Sequence, residues 1–272
     1  MNSCKKYFSV CVLALLTQAA FAKDAAGPAI LSATSGHGGA VTCTDSTIIG
    51  NVDSTGLPAS VVQTSCTISG SVLAPVATGV LADFNKAYDS LALTPCDQVL
   101  TGTLAGMTLS PGVYCFDAAA TLTGLLTLSG PSNGTWLFKV GTSGTGALTG
   151  TNFSMAMASG ATACNVTWWV AQAATMTTSN FLGTIYAGAA ITDTGGTFSG
   201  NALAKAAVTL TGASLTGCDS GGAMTKQGCN QGVGNGPEGC DPGNSNQGNP
   251  FRSNDELGGV PGNPGRKGGN KK

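Results

Sequence analysis

A 17-residue repeat constrains this chain more than any other feature. Residues 174–190 read ATMTTSNFLGTIYAGAA, 191–207 read ITDTGGTFSGNALAKAA, and 208–218 read VTLTGASLTGC. Thr175, Thr192 and Thr209 recur in register, as do Thr177, Thr194 and Thr211, and Gly183, Gly200 and Gly217. The bulky positions Phe181, Phe198 and Leu215 recur with them. A copy far upstream, residues 41–51 (VTCTDSTIIGN), aligns with 191–201, and a looser one, ALTGTNFS, runs 147–154. Thr121 and Thr123 form a further Thr-x-Thr pair. Repeats of this length with turn glycines indicate a solenoid, because one unit cannot bury its apolar face until neighbours stack on it.

Within each unit the apolar positions alternate, which is the period of a strand. In VTLT, Val208 and Leu210 face one way and Thr209 and Thr211 the other. Apolar residues then fill the coil interior, with Phe181, Phe198 and Leu215 stacked as a ladder. Glycines mark corners, because they accept positive φ. Asp193 interrupts the inward pattern and needs a hydrogen-bond partner if it is buried. Cys43, at the equivalent upstream position, also faces inward, which suits a disulfide.

Residues 76–91 (VATGVLADFNKAYDSL) differ in kind. Apolar residues at 76, 80, 81, 84, 88 and 91 follow helical spacing, with Asp83, Lys86 and Asp89 on the other face. Pro75 precedes the segment and Pro95 follows it. A single amphipathic helix must pack on something, here one flank of the solenoid.

Residues 1–22 read as a secretory signal peptide. Lys5 and Lys6 precede an apolar run from Tyr7 to Leu16, and Ala20-Phe21-Ala22 offers a small-x-small cleavage site. The run is too short to span a bilayer, and no later segment is apolar for long enough. Eight cysteines follow the signal: Cys43, Cys66, Cys96, Cys115, Cys164, Cys218, Cys229 and Cys240. An even number in an exported chain suggests disulfides, although spacing does not fix their connectivity. Pairing neighbours in sequence gives 43–66, 96–115, 164–218 and 229–240. The alternative, zinc, lacks CxxC or HxxxH spacing, so no metal and no cofactor are expected. Residues 219–272 are rich in Gly, Asn and Pro, with few large apolar side chains after Met224. That composition reads as a flexible tail beyond a domain at 23–218.

Charge narrows the function. Only 9% of residues are charged, against about a quarter in an ordinary globular chain. Between Lys23 and Cys218 there is no Glu and no Arg, and His37 is the one His of the chain. A net charge of -1 excludes a phosphate-tracking basic face, and with it nucleic acid. Most acid–base catalysis is excluded too, since its side chains are missing. A carbohydrate-active β-helix enzyme needs clustered acids, and Asp45, Asp53, Asp83, Asp89, Asp97, Asp117 and Asp193 form no tight run. A serine triad would have to use His37, in a Gly-rich entry segment. A structural or adhesive solenoid remains the other reading of the same repeats, signal and cysteines.

Several motifs in order now carry a resemblance. They are the early Thr repeat at 41–51, the helix at 76–91, LTGTLAGMTLSPGVYCF at 100–116, TLTGLLTLSG at 121–130, WLFKV at 136–140, ACNVTWWV at 163–170 and the repeats at 174–218. Over about residues 30–218 the chain resembles the microbial ice-binding proteins. The resemblance implies a mainly β fold: a right-handed parallel β-helix, discontinuous, with one long α-helix packed alongside. Its first coil is implied to pack beside the late coils, with the helix inserted between. It implies an antifreeze function, adsorption to the ice crystal surface, and no enzyme activity.

The expected ice-binding face carries Thr42, Thr44, Thr175, Thr177, Thr192, Thr194, Thr209 and Thr211, bordered by Thr47, Asn180, Thr197 and Ser214. Thr suits such a face because its χ1 is stiff, so a methyl and a hydroxyl sit at fixed positions. Thr is also common in strands and Thr-Gly in turns, so the pattern alone does not prove a site. The expected protein is an exported monomer, secreted or else periplasmic or on the cell surface.

Overall fold

The computed structural model describes residues 27–35 and 38–218. His37, the signal segment, the tail and the 229–240 pairing lie outside them. The described strands pair in parallel and form two sheets, one of ten strands and one of nine. Each coil has three sides. Ala174–Leu182, Ile191–Ser199 and Val208–Thr216 are nine-residue strands, each bent once in the middle. Thr184–Ala187 and Ala202–Ala204 supply the third side, in the nine-stranded sheet. The result is a right-handed β-helix.

The bend is a left-handed residue at the same station of each coil. Thr178, Gly195 and Gly212 have φ 48°, 70° and 63°, and Asp45, Ser65 and Asn152 continue the series at 47°, 49° and 48°. One residue there bends the chain around the corner while the ladder continues on either side. The second corner uses Gly183 and Gly200, at φ 113° and 150°. A Cβ at Gly200 would overlap the Gly183 carbonyl, so the coils close there only with glycine. Gly217, of the same repeat, does not share the positive φ.

Stacking order departs from chain order. Val41–Thr44 lies against Val208–Thr211, and Val61–Thr64 lies outside it at one end. The opposite end is formed by Gln98–Val99 and Thr108–Leu109. The helix, Thr78–Leu93, therefore carries the chain from the end strand Val72–Leu73 to the other end of the solenoid. It begins two residues later than the spacing predicts. Val76 N–H is held by the Ser54 carbonyl and Ala77 is extended, so neither joins the first turn. It runs on to Leu93 because only Thr94, preceding Pro95, is barred from helical backbone.

The interior is filled by inward ladders. Val41, Val208, Ile191, Ala174, Leu148 and Ala120 form one, all buried. Phe181 and Phe198 are neighbours in the ladder as expected, their rings tilted at 41° with centroids 5.0 Å apart, with Leu215 and Ile48 in register beyond them. The stack extends the other way through Trp168 and Phe138, whose ring centroids are 4.1 Å apart. A second core lies under the helix: Phe84 and Tyr88 pack on Leu31, Leu137, Trp169 and Leu203. Lys139, buried in that layer, donates to the carbonyls of Ala92 (2.8 Å) and Thr94 (2.6 Å). It thus caps a helix that has no basic residue in its own last turn. Three disulfides, 43–66, 96–115 and 164–218, join the pairs expected from sequence order.

Candidate functional site

The eight Thr singled out by the repeat lie on one side of the ten-stranded sheet, before the left-handed corner. Thr42, Thr209, Thr192 and Thr175 are register partners in one rank, and Thr44, Thr211, Thr194 and Thr177 in the next. They alternate with the buried Cys43, Leu210, Asp193 and Met176, so the hydroxyls point out. Thr194 and Thr211 are exposed, and the other six are half-buried by their neighbours.

Both ranks run further than the repeat spacing indicates. Thr149 and Thr121 extend the first, while Thr151 and Thr64 extend the second. Val62 ends the first rank beside Thr42. Twelve Thr thus form two ranks of six. The strand before Thr149 is separated from its neighbours by longer loops, so these coils depart from the 17-residue period. Their signal was the local Thr-x-Thr itself, at 121–123 and 149–151. Thr64, in VVQT, gives none.

The border residues fall beyond the corner, also in register: Thr47, Ser214, Thr197 and Asn180, continued by Thr67 and Ser154. The two sets differ in hydrogen bonding. Thr197 Oγ1 donates to Asn180 Oδ1 (3.0 Å), and Asn180 Nδ2 donates to Ser154 Oγ (3.4 Å). Among the described residues, nothing hydrogen-bonds to the eight Thr hydroxyls. They remain available to solvent.

Spacing follows from the backbone. Residues two apart along a strand are roughly 6.5–7 Å apart and adjacent coils roughly 4.8 Å, so six coils span about 24 Å. A regular grid of methyls and hydroxyls results, with its repeat set by the sheet's hydrogen bonds. No formal charge lies in either rank. Asp193 points inward and is buried, and its Oδ2 has no hydrogen-bond partner, so the need that its burial creates is not fully met. Burial pushes its carboxyl up to about 7. Asp45 is the exposed charge at the corner beside Thr44. Among the described residues, no cluster of three or more His, Cys, Asp or Glu could hold a metal.

A charge-poor solenoid with a helix along one flank and a regular hydroxyl grid on another defines a class of Thr-faced parallel β-helix. The ice-binding-like family matches the chain over residues 21–216, and the chain belongs to that family. An ice-binding protein of Nostoc sp. (strain HG1) is 36% identical over 141 residues, covering 50% of this chain and 49% of the relative. An ice-binding protein of Typhula ishikariensis is 31% identical over 127 residues, covering 45% and 51%. The matched stretch therefore spans about half the length of these relatives. Among solved structures, the ice-binding protein of the Antarctic ascomycete Antarctomyces psychrotrophicus is similar with a TM-score of 0.64 at 30% identity, covering 71% of this chain and 96% of its own. The ice-binding protein of an Antarctic Flavobacteriaceae bacterium gives 0.64 at 31% identity, covering 73% and 47%.

Proposed function

We propose that this protein adsorbs to ice through the two Thr ranks and thereby inhibits ice growth or recrystallisation. The observation that carries the reading is the in-register grid of Thr side chains whose hydroxyls have no protein partner. Rigid methyls order the adjacent water and the hydroxyls hold it in register. That ordered layer merges with an ice lattice, and many weak contacts act as one multivalent attachment. Charges would hold hydration shells incompatible with ice, and the ranks have none. The Thr197–Asn180–Ser154 chain borders the grid and fixes its edge. One chain carries the whole grid, so adsorption needs neither a partner copy nor a cofactor. Membership of the family and the three disulfides support export from the cell. No helix among the described residues is long and apolar enough to cross a membrane.

The test is thermal hysteresis and ice-recrystallisation inhibition by the purified mature chain. Thr192→Tyr or Thr194→Tyr is expected to lower either activity several-fold while the melting temperature holds. A folded chain with neither activity overturns the reading and leaves a structural solenoid. Full activity in both variants moves the site to another face.

A further inference from the structure

The two ends of the solenoid are finished differently. At the end formed by Gln98–Val99 and Thr108–Leu109, the chain between them folds into the core, and Leu100 and Leu104 are only 5% and 2% exposed. At the other end, Val61–Thr64, Thr67–Ile68 and Val72–Leu73 are the outermost strands. There Val72 and Leu73 are 40% and 51% exposed. Gln63 is exposed as well, although its register neighbour Cys43 is fully buried. No Asp, Glu, Lys, Arg or His occurs anywhere in residues 54–82. Proteins ordinarily guard an open sheet edge with charge, a bulge or a covering segment, since its unpaired amides and carbonyls template another strand. This edge has no guarding charge.

We propose that this end docks a second copy of the chain, giving an end-to-end dimer through antiparallel pairing of Val61–Thr64 with itself. Two arguments favour a second copy. A charge-free end meets its own copy without like-charge repulsion. The two-fold rotation also satisfies every side of the coil: about an axis normal to the Thr face, Val61–Thr64 meets itself, and Thr67–Ile68 meets Val72–Leu73 of the second copy. The interface is isologous, and Gln63 faces its own mate with an amide that both donates and accepts. The tail 219–272 is the competing occupant. It leaves from Cys218, two coils or about 10 Å from this end, but it has few large apolar side chains to cover the coil. Strand pairing preserves the alternation of side chains, so the Thr faces of both copies become coplanar. That last consequence rests on the ice-adsorption reading; the dimer itself does not.

Sedimentation equilibrium of the full mature chain, from micromolar to millimolar and without ice, tests the dimer. The expected result is a concentration-dependent dimer. Gln63→Glu sets like charges face to face, and Leu73→Lys, at a half-exposed site, buries an unpaired ammonium against the uncharged Thr67–Ile68 of the second copy, so each is expected to raise the dissociation constant roughly tenfold or more with unchanged melting temperature. A monomer at all concentrations overturns the proposal, as does a dimer that neither substitution weakens. Slow amide exchange at Val61–Thr64 in a monomer would assign the end to the tail and also overturn it. Ice activity is not read in this experiment, so its failure leaves the ice-adsorption reading standing.

Discussion

At the left-handed corner each coil places one residue under the same backbone demand, and the residues meet it unequally. Gly195 and Gly212 do so freely, while Thr178, β-branched and exposed, holds φ 48°. A non-glycine residue there costs about 1–2 kcal/mol. Thr178→Gly is expected to raise stability by about 1 kcal/mol, part of the relief being offset by the freedom glycine adds to the unfolded chain. Urea midpoints measure it. The buried Asp193 presents a second residue-scale tension. Its carboxyl is ordinarily ionised above 3.8, but burial holds it neutral up to about 7. The folded chain therefore binds the extra proton across that window, and stability falls as pH rises through it. Asp53, pushed up to about 6 by burial, acts with the same sign. Asp193→Asn keeps the shape without the charge. It is expected to gain a few kcal/mol over the wild type at pH 8, a gap that closes toward pH 4. Denaturation at both pH values decides it.

Among the elements, the helix shows how a local pattern is completed by a distant residue. The spacing at 76, 80, 81, 84, 88 and 91 marked the buried stripe, and Val76, Phe84 and Tyr88 are buried while Val80, Leu81 and Leu91 pack beside them. Pro95 marked where the helix stops, but what satisfies its last carbonyls was not legible. Lys139 sits in the strand Trp136–Val140, 45 residues from Thr94, and only the docking of helix on sheet brings its ammonium to the last carbonyls. Burial lowers its pKa, and two short hydrogen bonds keep it in place. Lys139→Met removes both and leaves two part-buried acceptors without them. It is expected to cost about 2–3 kcal/mol, measured by thermal or chemical unfolding.

For the whole molecule, the helix is a return path: it lets residues 28–73 pair with the last coils although residues 98–182 build the rest of the stack. The disulfides pin this arrangement. Cys43–Cys66 ties the exposed end coil to its neighbour across 23 residues. Replacing both with Ser is expected to cost about 3 kcal/mol and to speed amide exchange in Val61–Leu73 ahead of the other coils. The same assembly extends the Thr ranks. Thr64, Thr121, Thr149 and Thr151 join them because strand register survives the longer loops between coils, which a fixed period of 17 does not follow.

By itself the sequence determined the coil: its strand period, its inward aromatic ladder, its corner glycines, and the Thr positions of the regular repeats. All of these are local alternations, written by which side chains can face an apolar interior. Tertiary structure decided what depends on contacts between distant segments. It set which coils are neighbours, how far the Thr ranks run, that Thr197, Asn180 and Ser154 bond to one another while the Thr hydroxyls stay free, and that Asp193 is buried without a full set of partners. Parallel stacking makes neighbours of residues that the chain order keeps far apart, so no sequence window contains both sides of those contacts.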